Sequence, residues 1–280
     1  MTPFKPMSSP SARETDSMSA ADIRKHFLIE NVVQDNKIAF TFTDLDRMAC
    51  AGVRCTAGPV TLENDPETGA EFFLARRELG VINIGASAGI VRVDGKAYEM
   101  NSLDGMYVSM GSKSVTFESQ DKSKPAKFFL LGTPSHQAFP TSLVRKDEAN
   151  PVKLGSQATA NQRTIYQYIH QKGIKSAQLV MGFTALNEGS VWNTMPPHTH
   201  SRRTEIYFYF DIPENNIVSH FLGAPDRTRH VFVHNDQAVL SPAWSIHCGC
   251  GTAAYKFIWS MGGENQTFDD MDKFGMLELK

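Results

Sequence analysis

Short stretches that alternate apolar and polar residues recur along most of the chain, and this period-two pattern constrains the fold more than any other feature. Alternation places successive side chains on opposite faces of an extended backbone, so each stretch predicts a β-strand with one buried face. Turn signals such as "VDGK" and the glycine-rich "GASAG" separate the stretches at the close spacing of a barrel or sandwich. One series begins at Lys37 with "KIAFTFT", "GVINIG", "GIVRVDGKAYEM", "MYVSM", "SVTFES" and "KFFLLG", and a second runs from about Ala177 to Met261 in "AQLVMGFTAL", "EIYFYFDI", "VSHFLG", "HVFVHND", "QAVLSP" and "AYKFIWSM".

The segments outside these two series have a different character. The first eighteen residues are rich in Ser, Pro and Met and have no periodicity, which predicts a flexible arm. A short helix is predicted in "SAADIRKHFL", because Ser19 can cap it and Asp22 lies at the third helical position of a capping box. We therefore predict an all-β protein with an N-terminal arm and short helix at 1–36, a first barrel at 37–135, a polar linker or covering segment at 136–176, and a second barrel with the C-terminal segment at 177–280.

The two series can be aligned with each other. Placing "FFLARRELGVINI" under "HTHSRRTEIYFYF" superimposes an Arg-Arg pair and the β-rich stretch behind it, and "LDGMYVSMGSKSV" falls under "NDQAVLSPAWSIH" at a similar offset. We interpret this match as a duplicated β-barrel whose second copy keeps a polar interior while the first is filled by apolar side chains. In this alignment Phe72, Leu74, Leu79 and Val115 of the first copy stand in the places of His198, His200, Glu205 and His247 of the second.

The four polar residues of the second copy have the chemistry and spacing of a metal site. In a strand, His198 and His200 point to the same face, and Glu205 begins the next strand after the short loop "SRRT". His247 lies at the far end of the strand series, where closure of a barrel brings it back beside them. An HxH pair alone is equally typical of a solvated rim, but the apolar replacement of all four residues in the other copy favours a metal site. Three imidazoles and one carboxylate suit one divalent ion per chain, of Zn, Fe, Mn, Co or Ni, and the sequence does not choose among them.

Two tyrosines are candidates for a catalytic role beside this site. Tyr207 and Tyr209 follow Glu205 at period two and are predicted to face the same cavity. A phenol there can relay a proton or bind a hydroxyl group of a substrate, and ordinary packing inside the barrel is the alternative.

Other conspicuous residues are assigned no part in the site. The pair Arg202 and Arg203 flanks the ligands, but an equivalent pair in the first copy, Arg76 and Arg77, favours a structural role for all four. The remaining histidines are isolated or lie at a strand end and are left out of the metal shell: His26, His136, His170, His220, His230 and His234. Four cysteines in a chain of this size, without an export signal, favour reduced thiols over disulfide bonds: Cys50, Cys55, Cys248 and Cys250.

Charge and hydropathy argue against several classes of partner. The formal net charge is −2 and the basic residues are scattered, which leaves no basic patch for a nucleic acid or an acidic membrane surface. No apolar run approaches the roughly 18 to 20 residues that a spanning helix requires, and the first residues contain no continuous apolar stretch of the kind that export signals have. We therefore expect a cytoplasmic protein that binds neither nucleic acid nor membranes.

Several longer runs resemble one enzyme family. "HTHSRRTE" together with the downstream histidine matches the metal motif of the cupins, and further runs are similar to the 5-keto-4-deoxyuronate isomerases of bacterial pectin breakdown, a family within the cupin superfamily. The resemblance extends over nearly the whole chain from about Asp22. It implies a duplicated cupin (bicupin) fold, a hexamer, and a zinc ion held by His198, His200, Glu205 and His247. The runs that carry it are "RRELGVINIG", "NQRTIYQYI", "WNTMPPHTHSRRTEIYFYF", "SPAWSIHCGCGT" and "FIWSMGGENQTFDDMD".

The resemblance also implies a reaction. Members of that family convert 5-dehydro-4-deoxy-D-glucuronate to 3-deoxy-D-glycero-2,5-hexodiulosonate, which moves a carbonyl group from C1 to C2 of a small keto-uronate. A substrate carboxylate is typically bound by arginine, and Arg163 in "NQRTIY" is the candidate. Two other functions stay open: a cupin dioxygenase with iron at a similar site, and a sugar-binding or storage bicupin without catalytic activity.

Overall fold

Strands dominate the fold, as the period-two pattern predicts. The computed structural model describes residues 6–280, so the first five residues of the predicted arm lie outside the described part. Within that part the helices are α1 (Ala12–Thr15) and α2 (Ala20–Phe27), with single 3-10 turns at Pro66–Thr68, Phe73–Ala75, Lys146–Glu148, Gln157–Thr159 and Met276–Glu278. The longest of these, α2, has eight residues, so no helix among residues 6–280 is long and apolar enough to cross a membrane.

Twenty-four strands are formed by the described residues. The first twelve are β1 (Leu28–Ile29), β2 (Val33–Asp35), β3 (Thr41–Phe42), β4 (Ala49–Arg54), β5 (Val60–Thr61), β6 (Arg77–Asn83), β7 (Gly89–Val93), β8 (Lys96–Met100), β9 (Gly105–Val108), β10 (Val115–Ser119), β11 (Lys127–Pro134) and β12 (Ser142–Val144). The others are β13 (Asn150–Leu154), β14 (Arg163–Ile169), β15 (Val180–Leu186), β16 (Trp192–Asn193), β17 (His198–Thr199), β18 (Arg203–Phe210), β19 (Val218–Ala224), β20 (Arg227–Val233), β21 (Gln237–Ser241), β22 (Cys248–Gly251), β23 (Lys256–Gly263) and β24 (Asp272–Lys273).

The sheets form two units with the same strand order. In the first unit a seven-stranded sheet runs β12-β9-β6-β11-β4-β2, with β3 also beside β4, and a four-stranded sheet runs β5-β10-β7-β8. In the second unit a seven-stranded sheet runs β1-β21-β18-β23-β15-β14-β13 and a four-stranded sheet runs β16-β22-β19-β20. The order β9-β6-β11-β4 is thus repeated as β21-β18-β23-β15, and β5-β10-β7-β8 as β16-β22-β19-β20. This repeat agrees with the alignment of the two series in the sequence.

The segment at 136–176, predicted as a linker or covering segment, contributes three strands. β12 extends the large sheet of the first unit beside β9, and β13 and β14 extend the large sheet of the second unit beside β15. The edge strand β13 is mostly exposed, so it shows no apolar alternation in the sequence. Backbone hydrogen bonds hold β13 in the sheet. Because such bonds do not depend on the type of side chain, they leave no pattern in the sequence. The interpretation of the segment as a linker was therefore incomplete.

The N-terminal segment packs against the second unit. Ser19 caps α2 in the predicted capping box, with reciprocal hydrogen bonds of 3.2 and 3.0 Å to Asp22, which confirms the predicted helix. The prediction of a flexible arm was wrong for the part that includes α1. The guanidinium of Arg229 donates to the carbonyls of Thr15 and Asp16 at 2.9 and 3.1 Å, and β1 pairs with β21. The contacts that hold this segment are therefore made through its backbone carbonyls. Every residue has such a carbonyl, so the amino-acid sequence of the segment does not reveal these contacts.

Apolar side chains fill the interior of the first unit. Leu74, Leu79 and Val115 are buried there, as the alignment predicts. Phe72 is only half-buried, and its neighbour Phe73 takes the interior position instead. The difference arises because a 3-10 turn occupies this place in the first unit, whereas the second unit forms β17. A separate core cluster joins the two large sheets, where rings such as Phe129 and Phe208 stack 4.7 Å apart.

A buried carboxylate links the two units. Glu78 in β6 is fully buried and accepts five hydrogen bonds. Two come from hydroxyl groups of the first unit, Tyr107 at 2.9 Å and Thr133 at 3.0 Å. Three come from the consecutive backbone N–H groups of residues 177–179, just before β15, at 2.7, 3.0 and 2.9 Å. A buried carboxylate is stable only when donors surround it in this way.

We predict that Glu78→Ala lowers the free energy of unfolding by about 3 kcal/mol or more, because each buried donor left without an acceptor costs about 1–3 kcal/mol. Urea denaturation measures the loss. The control is Glu118→Ala, which removes a partly exposed carboxylate paired with Arg92 and is expected to cost less than about 1 kcal/mol. Equal stability of the two variants would show that Glu78 does not hold the units together.

Candidate metal centre

The four predicted ligands meet at one point in the second unit. His198 lies in β17, Glu205 in β18 and His200 in the turn between them, while His247 immediately precedes β22. The Nε2 atom of His198 lies 3.2 Å from that of His200 and 3.0 Å from that of His247. Oε2 of Glu205 lies 3.1 Å from Nε2 of His200 and 3.0 Å from Nε2 of His247. All four ligand atoms lie within 4.8 Å of one another, close enough to share one ion.

Burial and mutual contact set the protonation states that metal binding requires. Burial, together with the neighbouring His247 and His200, lowers the pKa of His198 to about 2. Burial also lowers the pKa of His247, against the opposing effect of Glu205. Burial alone would raise the pKa of Glu205, but the adjacent imidazoles of His247 and His200 outweigh it and lower that pKa well below its usual range. Neutral imidazoles beside an ionised carboxylate are the forms that bind a divalent cation.

Hydrogen bonds from outside the group orient two of the imidazoles. Nδ1 of His200 lies 2.8 Å from the backbone carbonyl oxygen of Asp270, which can only accept, so Nδ1 carries the proton and donates it. Nε2 of His200 is then the nitrogen that faces the carboxylate of Glu205 and Nε2 of His198. Three imidazole nitrogens and one carboxylate oxygen that converge in this way form a donor set that divalent ions accept, so the residues fit a metal ion. His247 is oriented by Ser241, whose Oγ lies 2.8 Å from Nδ1, and Ser241 is the β-ladder partner of Glu205.

A cavity of about 500 Å³ opens onto the centre. His198, His200 and Glu205 line it, whereas His247 is not in its lining. Other lining residues come from β14 and β15, from the strands beside them, and from the C-terminal wall, which we define as residues 264–275. They are Leu154, Arg163, Ile165, Thr184, Arg203, Tyr207, Phe257, Trp259, Met261, Phe268, Asp269, Met271, Lys273, Phe274 and Gly275, together with Thr194, Met195 and Pro196. The cavity therefore combines aromatic surfaces with a few charged groups.

The two candidate tyrosines have different surroundings. Tyr207 lines the cavity, and its hydroxyl lies 3.1 Å from that of Thr194. Tyr209 is fully buried outside the cavity lining, and its hydroxyl lies 2.7 Å from Nδ1 of His220. The prediction that both tyrosines face one cavity was therefore wrong for Tyr209. His220 was set aside in the sequence as isolated, yet it is fully buried at an inward position of β19.

The arginines also differ in what they contact. Arg163 lines the cavity, and its guanidinium donates to the carbonyl of Asn161 at 2.9 Å. Arg203 also lines the cavity, but it is buried and donates to the carbonyls of four residues in the C-terminal wall, Asn265, Thr267, Phe268 and Asp270. Arg202 forms an ion pair with the carboxylate of Asp270. These contacts agree with a structural role for Arg202 and Arg203. Sequence reasoning missed the wall itself, because it is irregular and is held through backbone carbonyls.

The fold and the centre together define a class of protein: a cupin-like β-sheet protein with a buried group of three histidines and a glutamate in one of its two units. The sequence matches the KduI/IolB family over residues 39–274. The chain belongs to this family.

Individual relatives and structures agree with this assignment. A protein of Opitutus terrae named 4-deoxy-L-threo-5-hexosulose-uronate ketol-isomerase is 51% identical over 97% of this chain and 98% of its own. A Caldicellulosiruptor bescii protein of the same name is 48% identical over 94% of this chain and 95% of its own. The solved structure of an IolB-like protein from Salmonella typhimurium covers 89% of this chain and 96% of its own, with a TM-score of 0.70 and 14% identity, so it supports the fold alone.

We predict that the purified protein binds one divalent metal ion per chain and that His198→Ala or His247→Ala loses most of it without unfolding. The fold survives because the first unit forms the same sheets around apolar side chains. Elemental analysis measures the metal, and circular dichroism checks the fold. His230→Ala, an exposed histidine outside the centre, is the control and should keep the metal. Retention of metal by both ligand variants would place the ion elsewhere.

Proposed function

We propose that this chain is a metal-dependent aldose–ketose isomerase, the 4-deoxy-L-threo-5-hexosulose-uronate ketol-isomerase of uronate degradation. The observation that carries the proposal is the similarity over nearly the full length to the two relatives that bear this name. The geometry agrees with it, because the His/Glu centre lies in the wall of a cavity large enough for a six-carbon acid. The substrate is then a small keto-uronate.

The proposal includes a zinc ion held by His198, His200, Glu205 and His247. Three imidazole nitrogens and one carboxylate oxygen are ligands that zinc accepts. A structural zinc is closed by four protein ligands, whereas a catalytic one keeps a position for the substrate. The cavity reaches three of the four residues, which supports an accessible centre. We further propose the bicupin division at 37–135 and 177–280 and the cytoplasmic location that the sequence predicts, and the hexamer that the family resemblance implies.

The reaction needs a polarised carbonyl and a controlled proton transfer. Between adjacent carbons, a C–H bond at C2 breaks, a C–H bond forms at C1, and the hydroxyl proton of O2 moves to O1, so no atom is gained or lost. A divalent ion at the centre supplies Lewis-acid polarisation of the substrate's carbonyl oxygen. The chain's own residues bind the acid, hold it against the centre and move the proton.

Tyr207 is the proposed proton donor to a substrate oxygen. Burial and the nearby carboxylate of Glu205 raise the pKa of its phenol well above the usual value, so the hydroxyl stays protonated and can donate a hydrogen bond to that oxygen as charge develops on it. Its contact with Thr194 leaves the hydroxyl at the cavity, beside the ligands. Tyr209, which contacts His220, supports the ring of Tyr207 from behind, with ring centroids 6.1 Å apart.

Arg163 is the proposed site for the substrate carboxylate. Arg163 lies in β14 and lines the cavity, and among the described residues its guanidinium donates one hydrogen bond, to the carbonyl of Asn161. Burial lowers the pKa of Arg163, but a guanidinium stays charged at neutral pH. A charged planar donor of this kind binds carboxylates through paired hydrogen bonds.

We predict that the purified protein converts the keto-uronate to its ketose isomer without oxygen and that removal of metal by a chelator abolishes the reaction. Proton NMR under argon follows substrate and product, and in D2O the product should gain deuterium at C1 as the proton exchanges. A need for oxygen would instead indicate a cupin dioxygenase. Binding of the acid without turnover by the metal-loaded protein would indicate a sugar-binding protein.

We predict that two side chains of the cavity lining, Tyr207 and Arg163, affect different kinetic constants. Tyr207→Phe should lower kcat by about 10²-fold or more, as expected for loss of a proton-transfer group. Arg163→Met should raise KM by about tenfold or more, because a hydrogen bond to a charged group contributes about 1.5–3 kcal/mol. Tyr209→Phe is the matched control and should change kcat by less than about tenfold. Equal losses in the two tyrosine variants would remove Tyr207 from the role of proton donor.

A further inference from the structure

One backbone carbonyl joins the C-terminal wall to the candidate metal centre. The carbonyl oxygen of Asp270 accepts the Nδ1 proton of His200 at 2.8 Å, and Arg203 donates to the same oxygen at 3.3 Å. This hydrogen bond decides which nitrogen of His200 is free to bind a cation. The position of the wall at residue 270 therefore determines the orientation and tautomer of one ligand.

The side chain of the same residue is anchored on both of its oxygens. Nε of Arg202 donates to one carboxylate oxygen of Asp270 at 2.9 Å, and Nη2 contacts the other. Nδ2 of Asn265 donates at 2.7 Å to the oxygen that Nε contacts. The carboxylate is largely buried, with 9% of the side chain exposed, so the ion pair is partly shielded from water. A bidentate contact of this kind fixes the orientation of the carboxylate as well as its distance from the guanidinium.

These contacts close a short ring around His200. Arg202 follows His200 by two residues in the chain, binds the side chain of Asp270, and the carbonyl of Asp270 returns to His200. Movement of the Asp270 side chain away from Arg202 would shift its carbonyl as well, because both belong to one residue. Arg203 alone cannot fix this position, since its bond to the Asp270 carbonyl is long and its other bonds are shared among the carbonyls of residues 265, 267 and 268.

We propose that Arg202 is a positioning residue of the metal centre: its ion pair with Asp270 holds the carbonyl that fixes the Nδ1–H tautomer of His200. Arg202 touches neither the ion nor the substrate. The identity of the ion rests on the proposed function, but the tautomer of His200 does not. Asp270 lies in the C-terminal wall between two residues that line the cavity, Asp269 and Met271.

The test compares Arg202→Ala and Asp270→Asn with the wild type in two measurements. Competition with a chelator gives the affinity for Zn²⁺, and the 15N shifts of labelled histidines in the metal-free protein give the tautomer of His200. We expect both variants to bind Zn²⁺ about 10- to 100-fold more weakly, the usual effect of losing a group that orients a ligand. We also expect His200 to lose its fixed Nδ1–H form. Arg202→Lys keeps the charge but not the paired contact, so its affinity for Zn²⁺ should lie between those of the wild type and Arg202→Ala.

The chain provides a matched control in Arg54→Ala. Arg54 also binds a carboxylate with two nitrogens, that of Asp35 at 2.6 and 2.9 Å, but in the first unit and away from the centre. The Arg54→Ala variant should change neither the affinity for Zn²⁺ nor the tautomer of His200. Wild-type affinity and an unchanged His200 tautomer in both Arg202→Ala and Asp270→Asn would overturn the inference. If the wild type binds no Zn²⁺, the proposed metal function fails, and the tautomer measurement alone then decides the inference.

Discussion

The carboxylate of Glu78 is the contact on which the arrangement of the two units depends. It is buried between them, and its five donors come from both. Three of these donors are the backbone N–H groups of residues 177–179, so the start of β15 is fixed relative to the first unit. β15 pairs with β23, which pairs with the strand that carries Glu205. The side chain of Gln178 also accepts from the N–H of Gly263, where the C-terminal wall begins. The first unit thereby helps to place the walls of a cavity to which it contributes no ligand.

The two units use the same strand order for different purposes, and the reason is the cost of burying polar groups. Leu79 lies at the same rung of the first unit's ladder as Glu205 in the second, opposite Gly132 where Glu205 is opposite Met261. An apolar side chain at that rung contributes to the core, whereas a carboxylate is costly there unless a cation or a set of donors accompanies it. The first unit therefore fills this position with apolar core, whereas the second places the His/Glu group there.

The parts of the site that could be predicted are those that depend on local periodicity. His198 and His200 are two residues apart, and Glu205 follows near the start of the next strand, so the approach of these three residues follows from short-range geometry. The prediction that both histidines lie in one strand was wrong, because β17 ends at Thr199 and His200 lies in the turn. The separation of the two tyrosines could not be predicted, because alternation directs both rings inward and only distant residues, Thr194 and His220, decide where each hydroxyl points. The wall at 264–275 could not be predicted for a related reason: the distant side chains of Arg202 and Arg203 hold it through the carboxylate of Asp270 and through backbone carbonyls. The edge strand at 150–154 is mostly exposed and pairs with β14 through its backbone, so it shows no apolar alternation.

The contacts around the ligands make the geometry of the centre a property of the chain. His200 is oriented by the carbonyl of Asp270, His247 by the hydroxyl of Ser241, and β17 with His198 is paired to β24. Each of these contacts comes from outside the ligand group. They orient His198, His200 and His247 through separate parts of the chain: the C-terminal wall, β21 and β24. A divalent ion bound by these residues would therefore need little rearrangement of its ligands.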